Sequence, residues 1–273
     1  VNHSPPFRER QNSSPKNTEI EKTRRFKMNN KRILLVILAV LAATTLACSF
    51  SFNLGNSTIE GNGDVEQETR SIDSFSKIEL NGIGNVHVEL GETASLEVSA
   101  EENLLEYIQT YTRGETLVIE IENNINIFPT ESVDFYITAV ELTSMSVSGL
   151  ADVDLPALDT DSFAISISGA GDITMDELFA ENLEVTVSGL GNFNINGGEV
   201  NSQEISISGG GSYNSSHLDS QEAVIKISGM GSTTVMVQEY LNVDISGGGN
   251  VNYYGDPEVD SDISGIGDID HLD

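Results

Sequence analysis

Apolar and polar positions alternate through the second half of the chain. The runs Ile165-Ser166-Ile167, Val185-Thr186-Val187, Ile205-Ser206-Ile207, Ile225-Lys226-Ile227 and Val243-Asp244-Ile245 put every second side chain on one face. That is the period of a half-buried strand, and the β-branched residues favour strand over helix. Each run leads into Ser-Gly-x-Gly, then a small polar residue and an apolar one, as in Asp172-Ile173 and Asn192-Phe193. The phrase starts at Ser148, Ser168, Ser188, Ser208, Ser228, Ser246 and Ser264, spaced by 20 residues four times and then by 18 twice. A constant period of this size predicts stacked coils, because the loops of an antiparallel sandwich vary in length.

The predicted fold is all-β: a right-handed parallel β-helix with ~20-residue coils, since parallel crossovers are overwhelmingly right-handed. Successive coils should lie about 4.8 Å apart. Ile165, Val185, Ile205, Ile225 and Val243 would then form one inward column, with Ile167, Val187, Ile207, Ile227 and Ile245 as another. The turn glycines are Gly149, Gly169 and Gly171, Gly189 and Gly191, Gly209 and Gly211, Gly229 and Gly231, Gly247 and Gly249, and Gly265 and Gly267. Gly82 and Gly84 occupy an earlier copy, Asn81-Gly82-Ile83-Gly84-Asn85, with Asn in place of Ser. Glycine there implies a positive φ or a close approach of backbones. Ala151 replaces the second glycine of the first regular repeat.

The chain before Ser148 is less regular. Residues 1–27 are polar and basic with no apolar period, and are expected to be a non-native upstream extension ahead of a start at Met28. Residues 28–48 have the layout of a secretory signal: Lys31-Arg32, an apolar run from Ile33 to Ala47, then Cys48. Thr45-Leu46-Ala47-Cys48 resembles the lipobox of bacterial lipoproteins, which implies lipidation of Cys48 and a membrane anchor. Cys48 is the only cysteine, so no internal disulfide can form. Residues 49–64 read as a flexible Ser/Asn/Gly-rich tether. Residues 65–273 are expected to be one β-helical domain, with 65–140 as irregular coils or a cap and 141–273 as the regular stack. Gly82 and Gly149 are 67 residues apart, which is no multiple of 20. Strands are expected at 95–100, 117–121 and 133–140, and 103–110 reads equally as a helical turn or an irregular strand. The acidic, Pro-containing stretch Gly255–Glu258 suits the blunting of a solenoid end.

Charge narrows the partners. The chain carries a net charge of −30, yet nine of its 13 Lys and Arg precede residue 33. From Cys48 onward only Arg70, Lys77, Arg113 and Lys226 face 40 Asp and Glu, a charge of −36. Such a surface repels nucleic acid and anionic membrane and attracts cations.

Three kinds of chemistry compete for the repeat. Asp152, Asp172, Asn192, Ser212, Ser232, Asn250 and Asp268 hold equivalent places after the glycines. Stacked, Asp152 and Asp172 would repel unless a cation intervened, and mixed Asp/Asn/carbonyl sites suit Ca²⁺. Asp152, Asp172, Asn192 and Asp268 are therefore the candidate metal positions, though Asp, Asn and Ser are also ordinary turn residues that bond local backbone. No other cofactor is indicated. A polysaccharide-cleaving enzyme is the second reading; it needs two carboxylates facing across a cleft. A lyase acting on acidic glycans would also want basic residues, and the repeat region holds only Lys226. Non-catalytic recognition of a protein or glycan is the third. For it Tyr253 and Tyr254, on opposite faces of one strand, are the candidate binding residues. Phe193 and Tyr213 share an inward column with Val153 and Ile173 and belong to the core. The histidines show no metal-ligand spacing.

The chain resembles the bacterial family called auto-transporter adhesin, head GIN domain, from about Thr58 to Asp273. The resemblance rests on Ile59-Glu60-Gly61-Asn62-Gly63, the Asn81–Val86 phrase, Glu102-Asn103-Leu104-Leu105 with Gly114–Ile119, and the Ser-Gly-x-Gly repeats. It implies a right-handed parallel β-helix on an exported, often lipid-anchored protein. Together these features lead us to expect a non-catalytic, surface-displayed lipoprotein for adhesion or scaffolding. The alternatives are a carbohydrate-active β-helix enzyme and a calcium-stabilised structural repeat protein.

Overall fold

The computed structural model describes residues 57–273. Each repeat forms strands on both sides of its glycine turn, and each strand pairs in parallel with its equivalent one coil on. The register runs Ile165, Val185, Ile205, Ile225, Val243, and beside it Ile167, Val187, Ile207, Ile227, Ile245. All ten side chains are 2% exposed or less. A motif too short to bury itself thus becomes a continuous apolar column. The strands after the turn add a further buried column, Val153, Ile173, Phe193, Tyr213, Thr233 and Val251. The fold is a parallel β-solenoid of about six turns with ~20-residue coils.

Alternation breaks once per coil. Leu158 and Phe163 are five residues apart yet both are buried, and so are Leu178 and Leu183. Strict period two would send them to opposite faces. The ladder skips one residue: Thr160 pairs with Ala180, pairing resumes at Ser162 and Asn182, and Asp161 and Glu181 have no ladder partner. The strand bends at that point, so each coil has three extended segments, 158–160, 162–167 and 172–175 in the first full example.

At the turns, close approach is the usual reason for glycine. A Cβ on Gly209 would lie 2.0 Å from the carbonyl oxygen of Gly189, directly beneath it. Only Gly84 and Gly171 among the turn glycines have positive φ, 141° and 129°. Ala151 lies in the unbroken strand Leu150–Leu155 and its φ is not positive. The shortening from 20 to 18 residues occurs at one corner. Ser215 pairs with Val235, but the next pair is Asp219 with Met236, so three residues are lost there and one is regained before Tyr240.

The spacing of 67 is itself a register. Lys77 pairs with Ser144 and Ile83 with Leu150, both in parallel. The Asn81–Asn85 phrase therefore stacks directly beneath Ser148–Asp152. Between these two coils the chain leaves the stack and builds its end. Strand Thr116–Ile121 pairs in parallel with Lys77–Asn81, and Asp134–Ala139 with Ile83–Leu90. A coil later in sequence thus lies outside an earlier one. Antiparallel strands cover it: Ile108–Arg113 on Thr116–Ile121, Ser95–Glu101 on Asp134–Ala139, and Val65–Arg70 on Ser95–Glu101. The ambiguous 103–110 stretch is partly each of its readings, a helical turn at Glu102–Leu105 followed by the strand from Ile108.

The tether expected over 49–64 has to be shortened. Ser57–Glu60 is a strand paired in parallel with Ile125–Phe128. Residues 61–64 are held as well. Glu101 is fully buried, and its carboxylate accepts the Gly63 N–H at 2.7 Å, the Thr130 N–H at 2.9 Å and the Thr130 hydroxyl at 2.6 Å. The Asn62 N–H donates to Asn103 Oδ1, and Asn103 Nδ2 donates to the Glu60 carbonyl. Two short polar phrases far apart in sequence, 60–63 and 101–103, are therefore one docked unit. Residues 1–56, with Cys48, lie outside the described residues.

Candidate functional site

The outward faces carry the chemistry, because the inward positions are filled by the core. After the glycine turn, one outward column contains Asn85, Asp152, Asp172, Asn192, Ser212, Ser232, Asn250 and Asp268. Its members bond one another along the axis. The Asp172 N–H donates to Asp152 Oδ1 at 2.8 Å, Asn192 Nδ2 to Asp172 Oδ1 at 2.7 Å, and Ser212 Oγ to Asn192 Oδ1 at 2.7 Å. At the far end the Asp268 N–H donates to Asn250 Oδ1 at 3.1 Å. Of the four candidate metal positions, Asp152, Asp172 and Asn192 are thus neighbours. Asp268 stands four coils from Asn192, about 19 Å at the usual strand spacing. Among the described residues, no group of three or more His, Cys, Asp and Glu could hold a metal ion.

At the capped end of this face lies a cluster that spacing alone did not reveal. His87 Nδ1 is 3.1 Å from Asp154 Oδ2, its Nε2 is 3.7 Å from Asp134 Oδ1, and its ring stacks on Tyr136 with centroids 5.2 Å apart. Burial raises the pKa of Asp134, but hydrogen bonds from Ser132 and Asn85 and the nearby His87 outweigh it, leaving the carboxyl below its ordinary value. The signal was available: aligning Asn81–Val88 with Ser148–Leu155 puts His87 opposite Asp154.

The bend in each coil makes two shallow grooves along the axis. One, of about 500 Å³, runs between the column of Ser162, Asn182, Ser202 and Glu222 and a column containing Glu184 and Glu204. Ser202 Oγ donates to Asn182 Oδ1 at 2.9 Å, and Lys226 Nζ lies 2.8 Å from Glu204. Glu184 and Glu204 are ladder partners on one face, so they stand side by side and not across a cleft. The other groove, of about 520 Å³, is lined by Asp159, Asp161, Glu181 and Glu199 around the half-exposed ring of Phe179.

Tyr253 and Tyr254 are both only partly exposed. Tyr253 continues an inward column from Val235, packs against the core and stacks on His271 at 5.0 Å. Phe193 and Tyr213 are buried and pack ring to ring at 5.6 Å. The Tyr213 hydroxyl reaches a polar cluster that the repeat pattern gave no reason to expect. It donates to Gln203 Oε1 at 3.0 Å, and Ser215 donates to the same oxygen at 3.2 Å. Gln203 Nε2 donates to Ser220 Oγ at 2.8 Å, and Ser220 donates to the Met236 carbonyl at 2.7 Å. All four residues are 1% exposed or less. Among the described residues, no helix is long and apolar enough to cross a membrane.

The described residues thus form a capped parallel solenoid with polar ladders outside and shallow grooves along its length. The chain belongs to the family described as "Putative auto-transporter adhesin, head GIN domain", whose model matches residues 74–257. Similar folds have been solved. A "putative adhesin" from Bacteroides fragilis is 21% identical with a TM-score of 0.74, the match covering 78% of this chain and 100% of that one. A "putative adhesin" from Parabacteroides merdae is 21% identical with a TM-score of 0.61, covering 79% and 99%. A "putative lipid binding protein" from Parabacteroides distasonis is 20% identical with a TM-score of 0.59, covering 80% and 100%. At these identities the likeness concerns the fold. Among curated proteins, none matches this chain.

Proposed function

We propose that this is a non-catalytic, exported binding protein, anchored to the membrane through a lipid on Cys48, that displays its solenoid at the cell surface for adhesion or envelope scaffolding. Membership of the adhesin family supports the adhesin-like role. The observation that carries the binding role is the groove at the bend, where hydroxyl, amide and carboxylate groups of Ser162, Asn182, Ser202 and Glu222 recur once per coil. A ligand lying along the axis would meet the same donors and acceptors at every step of about 4.8 Å. This suits an extended glycan or polypeptide and gives no single position special reactivity. Side-by-side carboxylates on one strand face do not offer the opposed pair that glycoside hydrolysis needs.

The test is an array of glycans and extracellular-matrix proteins probed with the chain and with Asn182→Arg/Ser202→Arg, which fills the groove. Saturable binding by the native chain, lost in the variant at unchanged melting temperature, is expected. Release of shortened glycan products, or binding indifferent to the groove, would refute the proposal. Labelling with a radioactive fatty acid, compared between the native chain and Cys48→Ser, checks the anchor.

A further inference from the structure

The third position of Ser-Gly-x-Gly forms a line of its own on the outside of the turn. Leu150, Leu190, Met230 and Ile266 stand there at 63%, 70%, 82% and 92% exposure. Between them come Ala170, Gly210 and Gly248, so large and small residues alternate coil by coil. Two features of this line are unexplained by the fold. Stacked coils gain most when like residues lie on one another; Leu150 has such a neighbour in Ile83 beneath it, but from Leu150 onward alternation denies each large side chain one in the next coil. Moreover, the small residues are not needed by the backbone. A Cβ on the adjacent Gly209 would strike a carbonyl oxygen at 2.0 Å, whereas one on Gly210 would meet only the tip of Leu190 at 3.1 Å, and one on Gly248 only Ile266 at 3.4 Å and Met230. Neither Gly210 nor Gly248 has positive φ. The turn line itself holds only Ser, Gly and apolar residues, in a chain whose net charge is −30.

We infer that this line is a seam between two copies of the chain, packed antiparallel about a two-fold axis. Knobs at every second coil face holes at every second coil, and reversal of the second copy brings them into register. Met230 of one copy then seats over Gly210 of the other, Leu190 over Gly248 and Ile266 over Ala170, and each contact is repeated by symmetry. Two highly acidic molecules can approach along this strip because it carries no charge of its own. The strip is about 29 Å long and one turn wide, so it covers on the order of 400 Å² per copy, half of what a stable interface usually buries. The dimer is therefore weak and forms with rising concentration, as suits a protein crowded on a surface.

The experiment is sedimentation velocity of the full chain under reducing conditions, from micromolar to near-millimolar concentration, beside two variants. Leu190→Asp/Met230→Asp should weaken association by at least about tenfold. Gly210→Leu should weaken it too, because it fills a hole, although it adds apolar surface. Both sites are exposed, so circular dichroism melts should be unchanged. A monomer at every concentration would overturn the inference. So would a dimer indifferent to Leu190→Asp/Met230→Asp, or association strengthened by Gly210→Leu, which marks unspecific stickiness. Cosedimentation with phosphatidylcholine vesicles that needs Leu190 and Met230, without a dimer, would make the strip a membrane contact and overturn it as well.

Discussion

Neighbouring glycines in one turn should respond in opposite ways to the same methyl group. In Gly209→Ala the new Cβ falls 2.0 Å from the Gly189 oxygen and 2.6 Å from that of Ser188. Carbon and oxygen do not approach so closely, so the two coils must part by roughly 1 Å. The hydrogen bond from the Gly210 N–H to the Gly189 oxygen is already 3.0 Å long and does not survive that displacement. Overpacking costs about 1–3 kcal/mol and the lost bond about 1 kcal/mol, while the stiffer unfolded chain returns about 0.4–1 kcal/mol. The net loss is about 1–4 kcal/mol. In Gly210→Ala the methyl group touches only the end of Leu190, which can turn aside, so stability should be unchanged or rise by up to about 1 kcal/mol. Urea unfolding followed by far-ultraviolet circular dichroism measures both. Equal midpoints for the two variants would refute close coil approach as the reason for the turn glycines.

Other consequences concern the buried polar groups. Gln203→Leu should lower stability by about 2 kcal/mol despite its greater hydrophobicity, because the hydroxyl donors of Tyr213 and Ser215 lose their acceptor and Ser220 Oγ loses the donor it accepts from. Adding Tyr213→Phe and Ser215→Ala, which remove the two orphaned donors, should restore much of that loss in the same urea assay. Burial pushes the Tyr213 phenol well above its ordinary value of 10.0. Tyr213→Phe should therefore leave the reversible part of the alkaline tyrosinate titration unchanged, with the difference confined to unfolding. The Thr130 hydroxyl bond, with N–H groups of residues 63, 130 and 131, holds Glu101 below its ordinary 4.5 against the opposing effect of burial. A depressed carboxyl stabilises the fold above its unfolded pKa and loses that contribution as pH falls through its folded pKa. The stability difference between native chain and Glu101→Gln should thus be largest at neutral pH and shrink below about pH 4.5. A difference constant down to pH 3 would refute the pairing.

The stack was legible because a fixed period makes one coil speak for all the others. Ile165 and Val185 need no alignment to be recognised as equivalent, and their pairing follows from stacking alone. The bend was not legible, since Asp161-Ser162 and Glu181-Asn182 are polar in either reading and only the phase between Leu158 and Phe163 reveals the extra residue. The capped end was hidden for a different reason. Strand order there departs from sequence order, with 116–139 outside 77–90, and alternation reports which face is buried but not which strand lies alongside. Glu101 and Gln203 were missed because a polar residue in an alternating run looks solvent-exposed until its partners, from residues 63 and 130 or from 213–220, are known.

The two ends of the solenoid bear on how copies meet. At the first end, antiparallel strands take up the free edge of the parallel coil. In the last described coil, strand Glu258–Ile263 pairs on one side only and is exposed throughout. Along its inward face Val243 gives way to Ser261, while Glu258, Asp260 and Asp262 take the outward positions above Tyr240, Asn242 and Asp244. Acidic side chains on an unpaired strand repel a second acidic strand and make coil-on-coil extension unfavourable. End-to-end contact would be heterologous and would grow into filaments, whereas a two-fold contact along the side closes after two copies. Charge on this strand therefore disfavours end-to-end contact and leaves the two-fold contact along the side. Association that continues past the dimer in sedimentation, with species growing steadily larger as concentration rises, would show that the last coil is an open edge after all.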